Sequence, residues 1–211
     1  MVTEQELDQV IARSEQFQDE LFLQFQQYGF GDDKKSLAVI SMCNIAQEHA
    51  ISLRELTKLR LLTSAMGLLR LQYEALVRAM WALYAASDSS IIKLVAPLTP
   101  ENEQVAKNGL PGVSKMMDEI EKKGPAGLHK HLSEFKDYSW QPLNSFVHGG
   151  IHAVNRSNTG YPVHIHYSAV RQSNNLLHMS AIALAHLVND GDLVLDIVSL
   201  YKKYADCLQL T

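Results

Sequence analysis

The segment from Ser139 to Asn155 reads SWQPLNSFVHGGIHAVN, and its composition specifies a helical architecture for the region around it. Ser139 is a favourable helix N-cap, and Pro142 falls in the first turn, where its missing N–H costs little. Gly149 and Gly150 each disfavour a helix interior by about 1 kcal/mol. The segment therefore predicts a helix with either a bend or a close packing contact at the two glycines.

A stripe of polar side chains follows one face of this predicted helix. Asn144, His148 and His152 are spaced four residues apart, and residues at this spacing share a helix face. One interpretation is a pair of histidines that are satisfied by hydrogen bonds within a kinked helix. The other is a functional site, in which His148 is a catalytic residue and Asn144 and His152 bind a ligand.

The composition is that of a water-soluble globular chain. It has 211 residues, of which 46% are hydrophobic and 20% are charged, and its net charge is −4. This charge argues against a broad basic surface for nucleic acid, although a local basic patch remains compatible with it. Two cysteines are too few for a disulfide framework. We predict one domain over residues 1–211.

We predict no targeting or membrane-spanning segment in this sequence. Its first ten residues are polar and acidic, unlike a signal peptide. The longest strongly apolar run, near Ala181–Leu187, is far too short to cross a bilayer. We expect a cytoplasmic protein without a membrane partner.

Helical periodicity and caps extend along most of the chain, from a capping box at Thr3 and Glu6 onward. They predict an all-α helical bundle. The basic stretch 54–60 reads as a solvated turn, and the alternating residues 161–167 read as a short extended segment. The predicted helices cover about 3–28, 34–53, 63–86, 114–123, 126–138, 139–155, 168–188 and 192–208.

The third of these helices carries a charged stripe. Arg70, Glu74 and Arg78 fall within an arc of about 80°, because residues four apart differ by 40°. Tyr73 and Trp81 flank that arc. The stripe is either a solvated face with salt bridges between neighbouring turns or a charged pocket that faces a partner helix or ligand.

Histidines are concentrated in the second half of the chain. A His-x-x-x-His pair and a His-x-His pair could supply a divalent-metal site. However, Gly149 replaces the acid expected after His148 in a His-Glu-x-x-His motif, so we assign no metal ligand or cofactor. Six of the nine histidines lie in this region: His148, His152, His164, His166, His178 and His186.

Two segments resemble a known group of proteins. Residues 68–81, LLRLQYEALVRAMW, and residues 143–149, LNSFVHG, are similar to uncharacterised bacterial all-helical proteins that resemble the HEPN superfamily. The resemblance covers about residues 35–190. It implies a small helical bundle that forms homodimers and belongs to toxin or phage-defence systems, with RNA or a nucleotide as a possible partner.

The resemblance also implies metal-independent ribonuclease chemistry. Active HEPN enzymes carry an Arg followed by four to six residues and a His, which together act on the RNA phosphate and 2′-hydroxyl. The positions upstream of His148 hold no arginine at this spacing. Arg171 and His178 do match, with six residues between them.

Three functions follow as hypotheses. A ribonuclease would use Arg171 with His178, or His148 with Arg78 and Glu74. A binding module would use the charged stripe and His148 without turnover, and a purely structural protein would use its aromatic face as a dimer interface. In the first two cases we predict that Arg70, Glu74 and Arg78 approach Asn144 and His148 in a cavity lined by Tyr73 and Trp81.

Overall fold

The computed structural model describes residues 2–209, and this part of the chain consists of ten α-helices and connecting turns, without a β-strand. The predicted all-α bundle is confirmed. The helices are α1 (Glu4–Leu23), α2 (Lys34–Lys58), α3 (Leu62–Tyr84), α4 (Asp88–Leu94), α5 (Pro100–Gly109), α6 (Val113–Lys123), α7 (Leu128–Val147), α8 (Ile151–Thr159), α9 (Val163–Val188) and α10 (Gly191–Lys203).

Helix α3 is the centre of the bundle. It packs against α2, α6, α7 and α9, and most of its residues are buried. Its apolar residues surround nearly the whole helix, which is typical of a helix enclosed by others. Helices α1 and α10 pack on the far side of α9. Every helix of residues 2–209 is too short or too polar to cross a membrane.

Helices α7 and α9 both pack on α3, and their chains run in opposite directions. Helix α7 is antiparallel to α3, because Arg70 contacts Asn144 while Tyr73, one turn later, contacts Trp140. Helix α9 runs parallel to α3: Gln72 Nε2 donates to the Ser173 carbonyl at 2.9 Å, and the last turn of α3 reaches the end of α9. The two flanking helices pack on α3 but hardly on each other.

Local capping residues determine where α1 and α2 begin, and both helices begin close to the predicted positions. The Thr3 side chain accepts from the Glu6 backbone N–H at 3.2 Å, and the Glu6 carboxylate accepts from the Thr3 N–H at 2.8 Å. Asp33 caps α2 through the N–H groups of Lys35 and Ser36. These caps satisfy backbone donors that the first turn leaves free.

The stretch 54–60 is largely helix, so the predicted solvated turn is wrong. Helix α2 continues through Lys58, and Arg54 is only 2% exposed, with a hydrogen bond to Gln18. Leu53 and Thr57 lie beside it on the same buried face. Packing in the bundle, chiefly against α3, together with the contact from Arg54 to Gln18 of α1, therefore extends the helix beyond the point at which the charges suggested an end.

Ser139 does not begin a helix. Helix α7 runs from Leu128 to Val147, with Pro142 in its interior. A proline removes the hydrogen bond to the carbonyl four residues earlier. That carbonyl belongs to Tyr138, which is 86% exposed, so water can solvate it while buried Leu132 and Leu143 hold the helix on α3.

The polar stripe predicted for His148 and His152 is broken by a helix end. Helix α7 stops at Val147, Gly149 adopts a positive φ of 64°, and Gly150 is the N-cap of α8. Only a glycine adopts such a φ without strain. Asn144 and His152 therefore lie on different helices.

Residues 161–167 are not extended, which corrects the second part of the fold prediction. Pro162 is the N-cap of α9, and the helix begins at Val163. Five alternating residues have no partner strand here, and as a helix they bury His166 beside Ala169 and Val170.

Candidate functional site

Arg70 is the best-enclosed charge of the predicted site. It is 8% exposed, and its Nε donates to Asn144 Oδ1 at 2.9 Å. Its guanidinium carbon lies 3.3 Å from the centroid of the Trp140 ring, and its Nη1 contacts Glu74 without the orientation of a hydrogen bond. The predicted approach of the α3 stripe to Asn144 is therefore present.

In these contacts the guanidinium group of Arg70 interacts with other side chains of the protein. Glu74 balances it, Trp140 covers one face, and Asn144 accepts its hydrogen bond. A buried charge with several partners stabilises a helix contact when all partners are in place. We interpret this group, hereafter the Arg70 cluster, as a clamp between α3 and α7.

The other charged candidates do not join the cluster. Arg78 is half-buried and forms no ion pair with the described residues. His148 is exposed at the C-cap of α7, and in residues 2–209 no carboxylate pairs with it. His152 is also exposed; its backbone N–H donates to Ser145 Oγ at 2.8 Å, and its ring lies 6.3 Å from Phe146.

Tyr73 and Trp81, the two aromatic residues that flank the charged stripe, contact different helices. The Tyr73 hydroxyl donates to the Leu132 carbonyl at 2.9 Å, and its ring stacks on Phe135 at 4.6 Å, under α7. Burial raises the pKa of Tyr73. Trp81 instead faces α6, where Nε1 donates to Glu119 Oε2 at 2.7 Å. The predicted pocket lined by both residues is therefore wrong.

Arg171 and His178 share a face of α9 but contact different parts of the chain. Arg171 donates to the Leu208 carbonyl and lies 5.4 Å from the Tyr167 ring centroid. His178 Nε2 donates to the Ile197 carbonyl at 2.9 Å, because a carbonyl can only accept. Burial lowers the pKa of His178, against the opposing effect of this hydrogen bond. Both side chains hold α10 and the segment after it against α9.

The histidines at the start of α9 point to different sides. His164 is exposed and His166 is buried, because two residues on a helix differ by about 200°. In the part of the chain from 2 to 209, no three His, Cys, Asp or Glu side chains gather in a way that could hold a metal ion.

His166 is enclosed without a hydrogen-bond partner among the described residues. It is 1% exposed, and its ring lies 5.2 Å from Tyr161. Burial lowers its pKa to about 4, and the charge of Arg60 acts in the same direction. The folded protein therefore holds this histidine neutral at pH values where the unfolded chain, with a pKa of about 6.5, begins to bind a proton.

We expect His166→Phe to raise the free energy of unfolding at pH 5 by about 1–2 kcal/mol, because it removes unpaired buried polar atoms. The unfolded state binds more protons between pH 4 and 6.5, so the wild-type protein loses stability as the pH falls through that window. The His166→Phe variant should lose less stability over the same pH range. Urea unfolding at several pH values measures both effects, with exposed His164→Phe as the control; equal pH slopes for the two variants would contradict the prediction.

A second candidate site, a concave groove, lies elsewhere in the structure. A groove of about 930 Å³ separates α7 from α9 and α10, and Met80 and Tyr84 of α3 form its floor. It arises because α7 and α9 pack on α3 without closing on each other. From the rise of 1.5 Å per residue, its walls are roughly 17–21 Å long.

The floor of the groove and much of its α7 and α9 sides are apolar, whereas polar side chains lie at both ends and along the α10 wall. Ser139 Oγ donates to Gln172 Oε1 at 3.2 Å and closes one end. At the other end the Tyr84 and His186 rings lie 6.1 Å apart, near His131. Burial raises the pKa of Tyr84, which keeps its hydroxyl a donor. The apolar middle contains Met80, Phe135, Leu176, Met179 and Ile182, and Leu128 lies at the end of the α7 wall.

The α10 wall of the groove is held by hydrogen bonds. Asn175 Nδ2 donates to the Gln209 carbonyl at 2.9 Å, and its Oδ1 accepts from the Gln209 N–H at 3.1 Å. The Tyr201 hydroxyl donates to the same carbonyl at 3.0 Å. His178 lies beside Tyr201 and lines the groove. This wall is formed before any ligand binds.

Sequence reasoning found His178 but not the groove. The lining residues come from α3, α7, α9, α10 and two connecting segments. Met80 and Met179 occur at helical spacing with other apolar residues, so in the sequence they look like ordinary core. The only local signal is the unusual number of aromatic and histidine residues on α7 and α9.

The fold and the groove define a class of protein: an all-helical bundle with an elongated apolar groove on one side of its central helix. The chain belongs to a protein family of unknown function, DUF6988, whose family model matches residues 43–210. This range contains both the Arg70 cluster and the groove. No curated protein and no solved structure matches the chain.

Proposed function

We propose that this chain is a binding protein that holds an apolar small molecule in the groove between α7, α9 and α10, without chemical turnover. The observation that carries the proposal is the groove itself. Its volume of about 930 Å³ lies within the range of roughly 300–1,000 Å³ typical of ligand pockets. An apolar floor combined with polar side chains on the rim is also typical of such pockets.

The arrangement of charged residues supports binding rather than catalysis. Cleavage of RNA by an arginine and a histidine requires both groups to reach one phosphate. Arg171 and His178 instead donate to the backbone carbonyls of Leu208 and Ile197. The ribonuclease hypothesis stays a prediction that these contacts do not favour.

The resemblance to the HEPN superfamily remains a proposal as well, together with RNA or nucleotide binding. A homodimer has one specific observation in its favour. Val147, Ile151 and Val154 expose 40%, 79% and 54% of their surface at the junction of α7 and α8. Apolar side chains grouped in this way often mark a protein interface.

A thermal-shift screen of small molecules tests the proposed function. A ligand present at about 100 times its Kd should raise Tm by roughly 5–10 °C, since it adds about 2.7 kcal/mol to the stability of a chain of this length. Apolar compounds should give such shifts, and polar ones should not.

The competing activity is tested on the same preparation. Labelled single-stranded RNA should remain intact, and salt-sensitive retention of RNA should be weak because the net charge is negative. RNA cleavage that is lost in His178→Ala, together with an absence of apolar ligands in the screen, would overturn the proposal.

A further inference from the structure

We infer that the ligand of the groove is a molecule with an unbranched acyl chain, held with its headgroup at the end formed by Tyr84 and His186. The inference rests on the proposed function, since it names the chemical class for the same groove. Three properties of the groove support it: its shape, the chemistry of its walls, and the difference between its two ends.

The shape of the groove requires a narrow ligand. Its walls extend over roughly 17–21 Å, between Leu128 and Ser139 on α7 and between Gln172 and His186 on α9. A helix of that length is about 10–12 Å across and would occupy well over 930 Å³. The volume divided by this length gives a mean cross-section of roughly 45–55 Å², which admits an extended chain, whereas a helix needs roughly 80–110 Å².

The chemistry of the walls distinguishes an acyl chain from an extended peptide. Helical walls use their own N–H and C=O groups internally, so they offer no ladder of hydrogen bonds to a peptide backbone. An extended peptide would leave its polar groups unpaired against Met80, Leu176 and Met179, at a cost of about 1–3 kcal/mol each. A hydrocarbon chain has no such groups. Methionine side chains also adapt to a flexible apolar chain.

The two ends of the groove give the ligand a direction. At the end near Ser139, the Gln172 side chain accepts from Ser139 Oγ, so the end is closed by a contact within the protein. At the opposite end, His186 is exposed and Tyr84 is half-buried beside it, whereas His131 Nδ1 lies 3.7 Å from Glu134 Oε2. The Tyr84 hydroxyl and the His186 imidazole can bind a carboxylate or another polar headgroup there.

The affinity of a chain-length series tests the inference. The full-length protein is titrated with a dansyl-labelled undecanoic acid, which is then displaced by straight-chain carboxylates of increasing length, all below their micelle concentrations. We expect the Kd to fall by about fourfold for each CH₂ that enters the groove, and to level off once the groove is full. A Kd without chain-length dependence would overturn the inference.

Two variants locate the chain and the headgroup. Ile182→Trp narrows the apolar middle of the groove. It should weaken the binding of every acyl chain that is long enough to extend from the open end into this narrowed part. Tyr84→Phe, which removes only a hydroxyl, should weaken carboxylates about fivefold and leave the corresponding alkanes unchanged. Unchanged affinity in both variants would contradict the assignment, once circular dichroism shows that both are folded.

The outcomes also separate the inference from the proposed function. One outcome is that acyl chains fail to bind while an aromatic compound from the screen binds, with an affinity that Ile182→Trp lowers. In that case the acyl inference fails and the groove remains a ligand site. If no compound is sensitive to Ile182→Trp, the proposed function fails as well. Capture of a peptide or a second copy by the groove would overturn the acyl assignment.

Discussion

We expect Arg70→Ala to lower the free energy of unfolding by about 3 kcal/mol, because it removes a charged hydrogen bond and a ring contact and leaves Glu74 without its partner. Arg70 is 8% exposed, so little of this loss can be recovered by solvation. Urea unfolding followed by circular dichroism measures the change. The transition midpoint should fall while the slope stays constant.

Arg78→Ala is the matched control for this prediction. It makes the same change two turns later on α3, at a half-buried arginine that forms no ion pair with residues 2–209. We expect it to cost less than about 1 kcal/mol. Adding Asn144→Ala to Arg70→Ala should cost clearly less than Asn144→Ala alone, since the two residues share one hydrogen bond. If Arg70→Ala and Arg78→Ala were equally mild, the clamp interpretation would be wrong.

The elements that depend on neighbouring residues could be predicted from the sequence. The start of α1 follows from Thr3 and Glu6, three residues apart, and the structure contains both hydrogen bonds of the capping box. The contact between Arg70 and Asn144 was predicted from two polar stripes on separate helices, and it is present. The cap depends only on local spacing, and for Arg70 and Asn144 helical periodicity indicates which side chains share the polar face of each helix.

Features that depend on tertiary packing could not be predicted in this way. Trp81 lies near the charged stripe on a helical wheel, but the position of α6 gives its N–H a partner in Glu119. Pro142 signals a helix start, yet the packing of α7 on α3 carries the helix through it. Tertiary contacts override local propensity at both positions.

The groove could not be predicted from the sequence for a further reason. It is the space left where α7 and α9 both pack on α3 and contact each other at Ser139 and Gln172 but diverge beyond that point. No residue pattern encodes such a gap, because each lining residue also suits a buried helix face. The charged and histidine-rich motifs, by contrast, were conspicuous, and the structure uses several of them to hold helices together.

Met179→Trp should have the largest effect on binding. It places a larger side chain in the apolar middle of the groove, and we expect the Kd for a groove ligand to rise by at least tenfold, as expected when about 1.4 kcal/mol of contact is lost. Met42→Trp is the matched control, because Met42 is also half-buried but lies on α2, away from the groove. Competition binding with the dansyl probe compares the two variants. Equal affinities would show that the ligand does not occupy the groove.

The central claim, that the groove is a ligand site, is tested most directly by NMR of methionine methyl groups. The chain contains seven methionines, and Met80 and Met179 line the groove, whereas Met116 and Met117 are buried on α6. Titration of a methyl-labelled sample with a compound that raises Tm in the thermal-shift screen should shift the Met80 and Met179 signals along one saturating curve and leave those of Met116 and Met117 in place. Shifts confined to other methyl groups, or no shifts at saturating ligand, would contradict the account.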